Sequence, residues 1–141
     1  MRNDPLSQFN FILQIDGLQS AGFTEISGLS TESDVIEYRE GNELPSMRKL
    51  PGLIKYGNIT LKRGYTQNRE LWEWRKTTLD GMTLRKNCSI ILLDEARQPV
   101  VRWNIYEAFI TKLEFPALNA SANEAAIESV ELVCERIELA D

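Results

Sequence analysis

Across residues 9–15 the large apolar side chains fall on every second position (Phe9, Phe11, Leu13, Ile15), with Asn10, Gln14 and Asp16 between them and Ile12 the one exception. A period of two belongs to a β-strand with one packed face and one wet face, because a helix would scatter the same residues around its circumference. The pattern returns along most of the chain. Residues 22–27 can run back from an Asp16-Gly17 turn as a second strand, with Phe23 and Glu25 facing one way and Thr24 and Ile26 the other. Residues 34–40 read as a third strand. Residues 56–63 read as a fourth, in which Asn58, Thr60 and Lys62 alternate with Ile59, Leu61 and Arg63.

The period changes once. Leu71, Trp72, Arg75, Thr78 and Leu79 share a helical stripe, Asn68 offers a cap and Asp80-Gly81 a stop, which predicts a helix over about 68–80. Beyond it, residues 89–93 and 100–105 flank the polar turn 94–98 as a β-hairpin. Residues 108–115 add a strand that Pro116 closes, and 117–125 make a small, polar loop. In residues 126–139 the Glu, Leu and Ala content favours helix, but Val130, Leu132 and Cys134 alternate with Glu131 and Glu135. The alternation predicts a strand, with Ile137 and Leu139 changing face through a bulge. Many strands, short polar turns and one helix give a mainly β fold, an antiparallel barrel or sandwich. At 141 residues, with 43% hydrophobic and 26% charged residues, the chain fits a single domain, 1–141, able to bury roughly two-thirds of its unfolded surface.

The chemistry is as constrained as the fold. The chain has no histidine, which removes the usual general base, the commonest metal ligand and every Ser-His or Cys-His nucleophile pair. No Walker loop, G-x-G-x-x-G or clustered cysteine motif occurs, so no cofactor or metal is expected. A carboxylate pair among Asp94, Glu95 and Glu107 is the remaining enzymatic possibility, and acidic turns explain those residues better. Cys88 and Cys134 lack redox or metal spacing and read as two reduced, buried thiols. The net charge of −5 opposes binding to nucleic acid or to an anionic membrane. The short basic clusters Lys62-Arg63 and Arg85-Lys86 read as partners for acidic groups on an adjacent subunit. No apolar run is long enough to span a membrane or to act as a signal peptide, so synthesis and folding in the cytoplasm are expected. Three Asn-x-Ser/Thr tripeptides, at Asn58, Asn87 and Asn119, then read as chance.

One stretch breaks the strand pattern. From about 40 to 55, Pro45, Pro51 and Gly52 interrupt regular pairing, which predicts an irregular, extended arm. It carries Leu44, Met47, Leu50 and Leu53 beside Glu40, Glu43, Arg48 and Lys49. A solvated loop has no need of those apolar residues, whereas an arm packed on a neighbouring copy does. The candidate inter-subunit contacts are Tyr38, Arg39, Glu40, Glu43, Leu44, Met47, Arg48, Lys49, Leu50 and Leu53. Trp72 joins them, because it and Trp74 diverge on the helix, one free to anchor it and the other to face a partner. Sheets with free edges pair with other chains, and head-to-tail addition that closes on itself satisfies those edges. A monomeric or small-oligomer barrel carrying a ligand inside it is the alternative.

The strings Gly22-Phe23, Ser27-Gly28-Leu29, Asp34-Val35-Ile36-Glu37-Tyr38-Arg39-Glu40-Gly41, Arg48-Lys49-Leu50-Pro51-Gly52-Leu53, Asn58-Ile59-Thr60-Leu61-Lys62-Arg63-Gly64, Glu70-Leu71-Trp72 and Asn123-Glu124-Ala125-Ala126-Ile127-Glu128 follow in an order and spacing that is specific when taken together. In them the chain resembles, from about residue 9 to 138, the inner tube proteins of extracellular contractile injection systems, relatives of contractile phage tail tubes. It departs after Arg102-Trp103-Asn104, where that family tends toward an Asn-Ala-Trp-Pro-like stretch and this chain has Tyr106-Glu107-Ala108-Phe109-Ile110. The resemblance implies a barrel-like β-sandwich with a flanking helix, and sheets of neighbouring subunits joined around a lumen. It also implies a non-enzymatic role: hexameric rings stacked into a tube inside a contractile sheath protein, with baseplate and cap proteins at its ends and room for lumenal cargo. Such a tube is part of a phage-tail-like particle, open to release outside the cell.

Overall fold

The computed structural model describes residues 11–16, 18–38, 41, 48–64, 69–117 and 126–140. Along them run strands β1 (Phe11–Ile15), β2 (Leu18–Phe23), β3 (Glu25–Ser27), β4 (Thr31–Tyr38), β5 (Arg48–Tyr56) and β6 (Ile59–Gly64), helix α1 (Glu70–Leu79), and strands β7 (Lys86–Leu93), β8 (Pro99–Glu114), β9 (Ile127–Val133) and β10 (Arg136–Leu139). Eight strands form one antiparallel sheet in the order β2-β1-β7-β8-β9-β6-β3, with β10 added on β8, while β4 and β5 pair as a separate two-stranded ribbon. The ends of the large sheet, β2 and β3, are consecutive in the chain with only Thr24 between them. The Thr24 amide donates to the Lys62 carbonyl at 3.0 Å and its hydroxyl donates to the same oxygen at 3.3 Å. A sheet whose two edges are linked this way curls into a barrel-like sandwich, the expected fold class.

The period of two fills its interior. On β6, Ile59, Leu61 and Arg63 point inward; on β9, Leu132, Val130 and Glu128 do. The register sets Ile59 opposite Leu132, Leu61 opposite Val130 and Arg63 opposite Glu128, so buried faces buried at each step. Leu13, Ile15, Phe23, Cys88, Ile90, Ile105, Ala108 and Ile110 complete the core, and α1 adds Leu71 and Trp74. Among the described residues, Arg63 and Glu128 are the buried charged ones, paired at 3.2 Å, with the guanidinium 5.4 Å from the Phe23 ring centroid.

Several boundaries differ from the expected ones for identifiable reasons. Residues 22–27 are not one strand: the break at Thr24 resets the alternation, so Phe23 is buried beside β1 while Ile26 packs inward beside β6. Residues 100–105 and 108–115 are not two strands but one, β8. A bulge at Tyr106 and Glu107, the latter with φ 53°, shifts the inward phase from Ile105 to Ala108 and lets a single strand serve both halves of the barrel. The C-terminal strand breaks beside it, where the Glu135 amide donates to the Tyr106 carbonyl at 3.1 Å. β9 therefore follows one half of β8 and β10 the other.

Helix α1 begins at Glu70, two residues after the start the sequence suggests. Its N-cap is Arg69 with no side-chain cap, and Asn68 lies outside the described residues; Glu70 and Glu73 place negative charge in the first turn instead. The buried side is Leu71 and Trp74, not Trp72, and Leu79 is exposed. The stop falls at Asp80-Gly81 as expected. Gly81 takes φ 84°, its amide donates to the Thr78 carbonyl at 3.1 Å and the Met82 amide to the Thr77 carbonyl at 2.9 Å, the paired bonds of a Schellman ending.

Candidate assembly surface

Residues 48–53, expected to be irregular, are a strand. Arg48–Tyr56 pairs with Thr31–Tyr38 despite Pro51, because a slip in register leaves Gly52 and Leu53 together opposite Asp34 and accommodates the break there. Opposed pairs share a face, so Ile36 with Leu50 and Tyr38 with Arg48 lie on one side, and Val35 with Pro51 and Glu37 with Lys49 on the other. Both sides are apolar and both are wet: Val35, Ile36, Leu50, Leu53 and Ile54 are between 46% and 72% exposed, and Tyr38 42%. Among the described residues, β4 and β5 pair only with each other. A two-stranded ribbon with no packed face is marginal in water.

Its root is rigidly built. The Gly57 amide donates to the Ser30 carbonyl at 3.1 Å where the segment entering β4 crosses the segment leaving β5. A Cβ on Gly28, which has φ 90°, would sit 1.9 Å from the Asn58 carbonyl oxygen, and one on Gly57 would sit 2.2 Å from the Ser30 hydroxyl. Only glycine permits the two backbones to pass this closely. Further out, Lys55 pairs with Asp34 at 3.2 Å.

Of the expected interface residues, the structure gathers Tyr38, Arg48, Lys49, Leu50 and Leu53 on the ribbon. Arg39, Glu40, Glu43, Leu44 and Met47 lie outside the described residues. Trp72 is on a different element, half-buried against the Phe115 ring at 5.9 Å, while Trp74 anchors the helix by donating its indole N–H to the Leu84 carbonyl at 2.7 Å. Val35, Ile36 and Ile54 belong to the same surface and are not among the residues expected from the sequence. The available signal was that apolar residues occur in both phases of the ribbon.

The basic clusters are corrected as well. Arg63 is engaged with Glu128, Lys62 with Glu25 at 3.9 Å, Arg85 with Glu135 at 3.4 Å, and Lys86 lies 5.6 Å from the Trp74 ring, so this chain supplies their partners itself.

The outward face of β1, β7, β8 and β10 carries a polar row beside an apolar pair, Ile12 opposite Ile91. Gln14, Ser89, Asn104 and Glu138 stand in one cross-strand row. The Ser89 hydroxyl donates to the Asn104 side-chain oxygen at 2.9 Å and accepts from Arg102 at 3.3 Å. Beside the row, Arg136 lies over the Tyr106 ring at 4.9 Å and pairs with Glu138. Arg136, and then Tyr106, hydrogen-bond the Glu138 carboxylate and hold it below the usual carboxylate range. A shallow depression of about 570 Å³ on this side is lined by Asp16, Asn87, Cys88, Ser89, Asn104, Ile105 and Tyr106. Burial, reinforced by Asp16, pushes the Cys88 thiol up to about 12, so it stays protonated and unreactive at neutral pH. Among the described residues no three His, Cys, Asp or Glu side chains gather to hold a metal, and no helix is long and apolar enough to cross a membrane.

The family profile for T4-like virus tail tube protein gp19 matches residues 7–138. The fold is similar to a chain in the sheath-tube complex of the PVC extracellular contractile injection system in its extended state, at 28% identity and TM-score 0.84, over 98% of this chain and 93% of that one. It is similar to a chain in the tube-terminating cap of the anti-feeding prophage, at 31% identity and TM-score 0.81, over 99% and 93%. A chain in the baseplate of that particle gives 25% identity and TM-score 0.80, over 99% and 97%. No curated protein matches. A profile that spans nearly the whole sequence, on the fold those particles share, shows that the chain belongs to the T4-like virus tail tube protein gp19 family.

Proposed function

We propose that copies of this chain close into hexameric rings which stack into the hollow inner tube of a contractile injection system, with the β4–β5 ribbon gripping the adjacent copy or the next ring. The observation that carries this reading is the ribbon itself: exposed apolar residues on both faces, on a stem fixed by Gly28 and Gly57. Covering Val35, Ile36, Leu50, Leu53 and Ile54 in a neighbour would contribute roughly 1 to 2 kcal/mol apiece, repeated at every subunit. The role is structural and not catalytic, and it uses no cofactor.

The similar chains come from a sheath-tube complex, a cap and a baseplate, which supports a sheath protein along the tube and cap and baseplate proteins at its ends. The same reading leaves room for lumenal cargo and is compatible with assembly in the cytoplasm and later release of the particle. A ligand carried inside the barrel fits poorly, since Leu13, Ile59, Leu61, Ile90, Ile105, Ile110 and Leu132 occupy that space with no exposed surface. Negative-stain microscopy of the concentrated, purified chain tests the proposal. Rings or tubes of uniform diameter are expected, and a lone monomer at every concentration and salt would overturn it.

A further inference from the structure

The two strands of the ribbon carry opposite charge. Tyrosines aside, every ionisable side chain on Thr31–Tyr38 is acidic (Glu32, Asp34, Glu37) and every one on Arg48–Tyr56 is basic (Arg48, Lys49, Lys55). Within the ribbon they face one another, Glu32 opposite Lys55 and Glu37 opposite Lys49. Each strand has a second, outward edge, and among the described residues neither edge is paired.

We propose that the acidic β4 edge of one copy lies against the basic β5 edge of the next, so that the ribbon charges set the direction in which copies join. This rests on the tube reading for the presence of a neighbour, and it names that neighbour's surface. Two like edges meeting would set three carboxylates against three carboxylates, or three cations against three cations, so two-fold pairing is disfavoured. The remaining match, β4 to β5, is head-to-tail, the kind of contact that propagates around a closed ring. It keeps the antiparallel sense of the ribbon and repeats its alternation of acidic and basic strands. The flanking charges then choose the occupant.

The test exchanges the two sets of charges: Glu32→Lys, Asp34→Lys and Glu37→Lys together with Arg48→Glu, Lys49→Glu and Lys55→Glu. Three charges move each way, so the net charge stays at −5 and each ribbon keeps its internal pairs. The exchanged chain is expected to assemble alone. Mixed in equal amounts with the original chain before assembly, it should be depleted from the original chain's tubes about tenfold, because every mixed junction opposes like charges. Mass spectrometry of tubes recovered through an affinity tag on one chain reads this ratio.

Free mixing of two chains that each form tubes would overturn the edge contact and leave the tube reading standing. Failure of the original chain to assemble would instead overturn the tube reading. If the sixfold variant does not fold by circular dichroism, the register pair Glu37→Lys with Lys49→Glu goes through the same experiment. About twofold depletion is expected there, and an even mixture would overturn the proposal.

Discussion

Arg63 and Glu128 place a full charge pair inside an otherwise apolar barrel, and Arg63 Nη2 is buried there without a hydrogen-bond partner. Removing one member strands the other, so Glu128→Ala is expected to lower unfolding free energy by about 3 to 5 kcal/mol in urea titrations. Arg63→Met combined with Glu128→Leu should recover most of that, because no charge is then left in the core. Cys88 makes a second residue-level prediction. Its thiol ionises near 9.0 when unfolded and is pushed up to about 12 when folded, so the unfolded chain holds fewer protons between those values. The stabilisation is complete below about pH 9 and is lost as pH rises toward 12. Relative to Cys88→Val, the original chain should lose about 1.4 kcal/mol per pH unit across that window in pH-dependent unfolding.

At the scale of elements, the ribbon should be separable from the barrel that carries it. Leu50→Asp adds a charge at a wet site, so the melting temperature of the monomer should fall by no more than about 2 °C, while tube formation seen by microscopy is lost. Gly28→Ala acts at the root instead. The Asn58 carbonyl would have to move, and hydrogen exchange in residues 31–38 and 48–56 should quicken by about tenfold or more while β7 and β8 keep their protection. The barrel strands were legible because each has one packed face, and burial enforces the period of two: Leu13 and Ile15, Ile59 and Leu61, Val130 and Leu132 all fall inward. The ribbon was not read as a strand pair, since Pro51 and Gly52 look like breakers until a register slip absorbs them and no packed face imposes a phase. Trp72 and Trp74 show the same limit on a helix. Spacing alone shows that the two diverge, and only the carbonyl of Leu84 decides which one is anchored. The joints at Thr24 and Glu107 could not be read either, because each depends on the strand across from it.

For the molecule as a whole, assembly and stability should be linked. If the ribbon finds its cover only in another copy, the apparent melting temperature should rise with protein concentration, by several degrees over a hundredfold range, and Leu50→Asp should abolish that dependence. Differential scanning calorimetry over a dilution series gives the comparison.

The long strand β8 bears on what such an assembly can withstand. Its 16 residues have a contour of about 50 Å, and it borders β7 and β10 over one part and β9 over the other. A thrust delivered to one end of the barrel therefore reaches the far end along a continuous covalent backbone, splinted by hydrogen bonds to its neighbours. No turn interrupts that route, so the subunit has a built-in strut, and buckling would begin at one of its register irregularities, beside Glu107 or between Ile110 and Lys112.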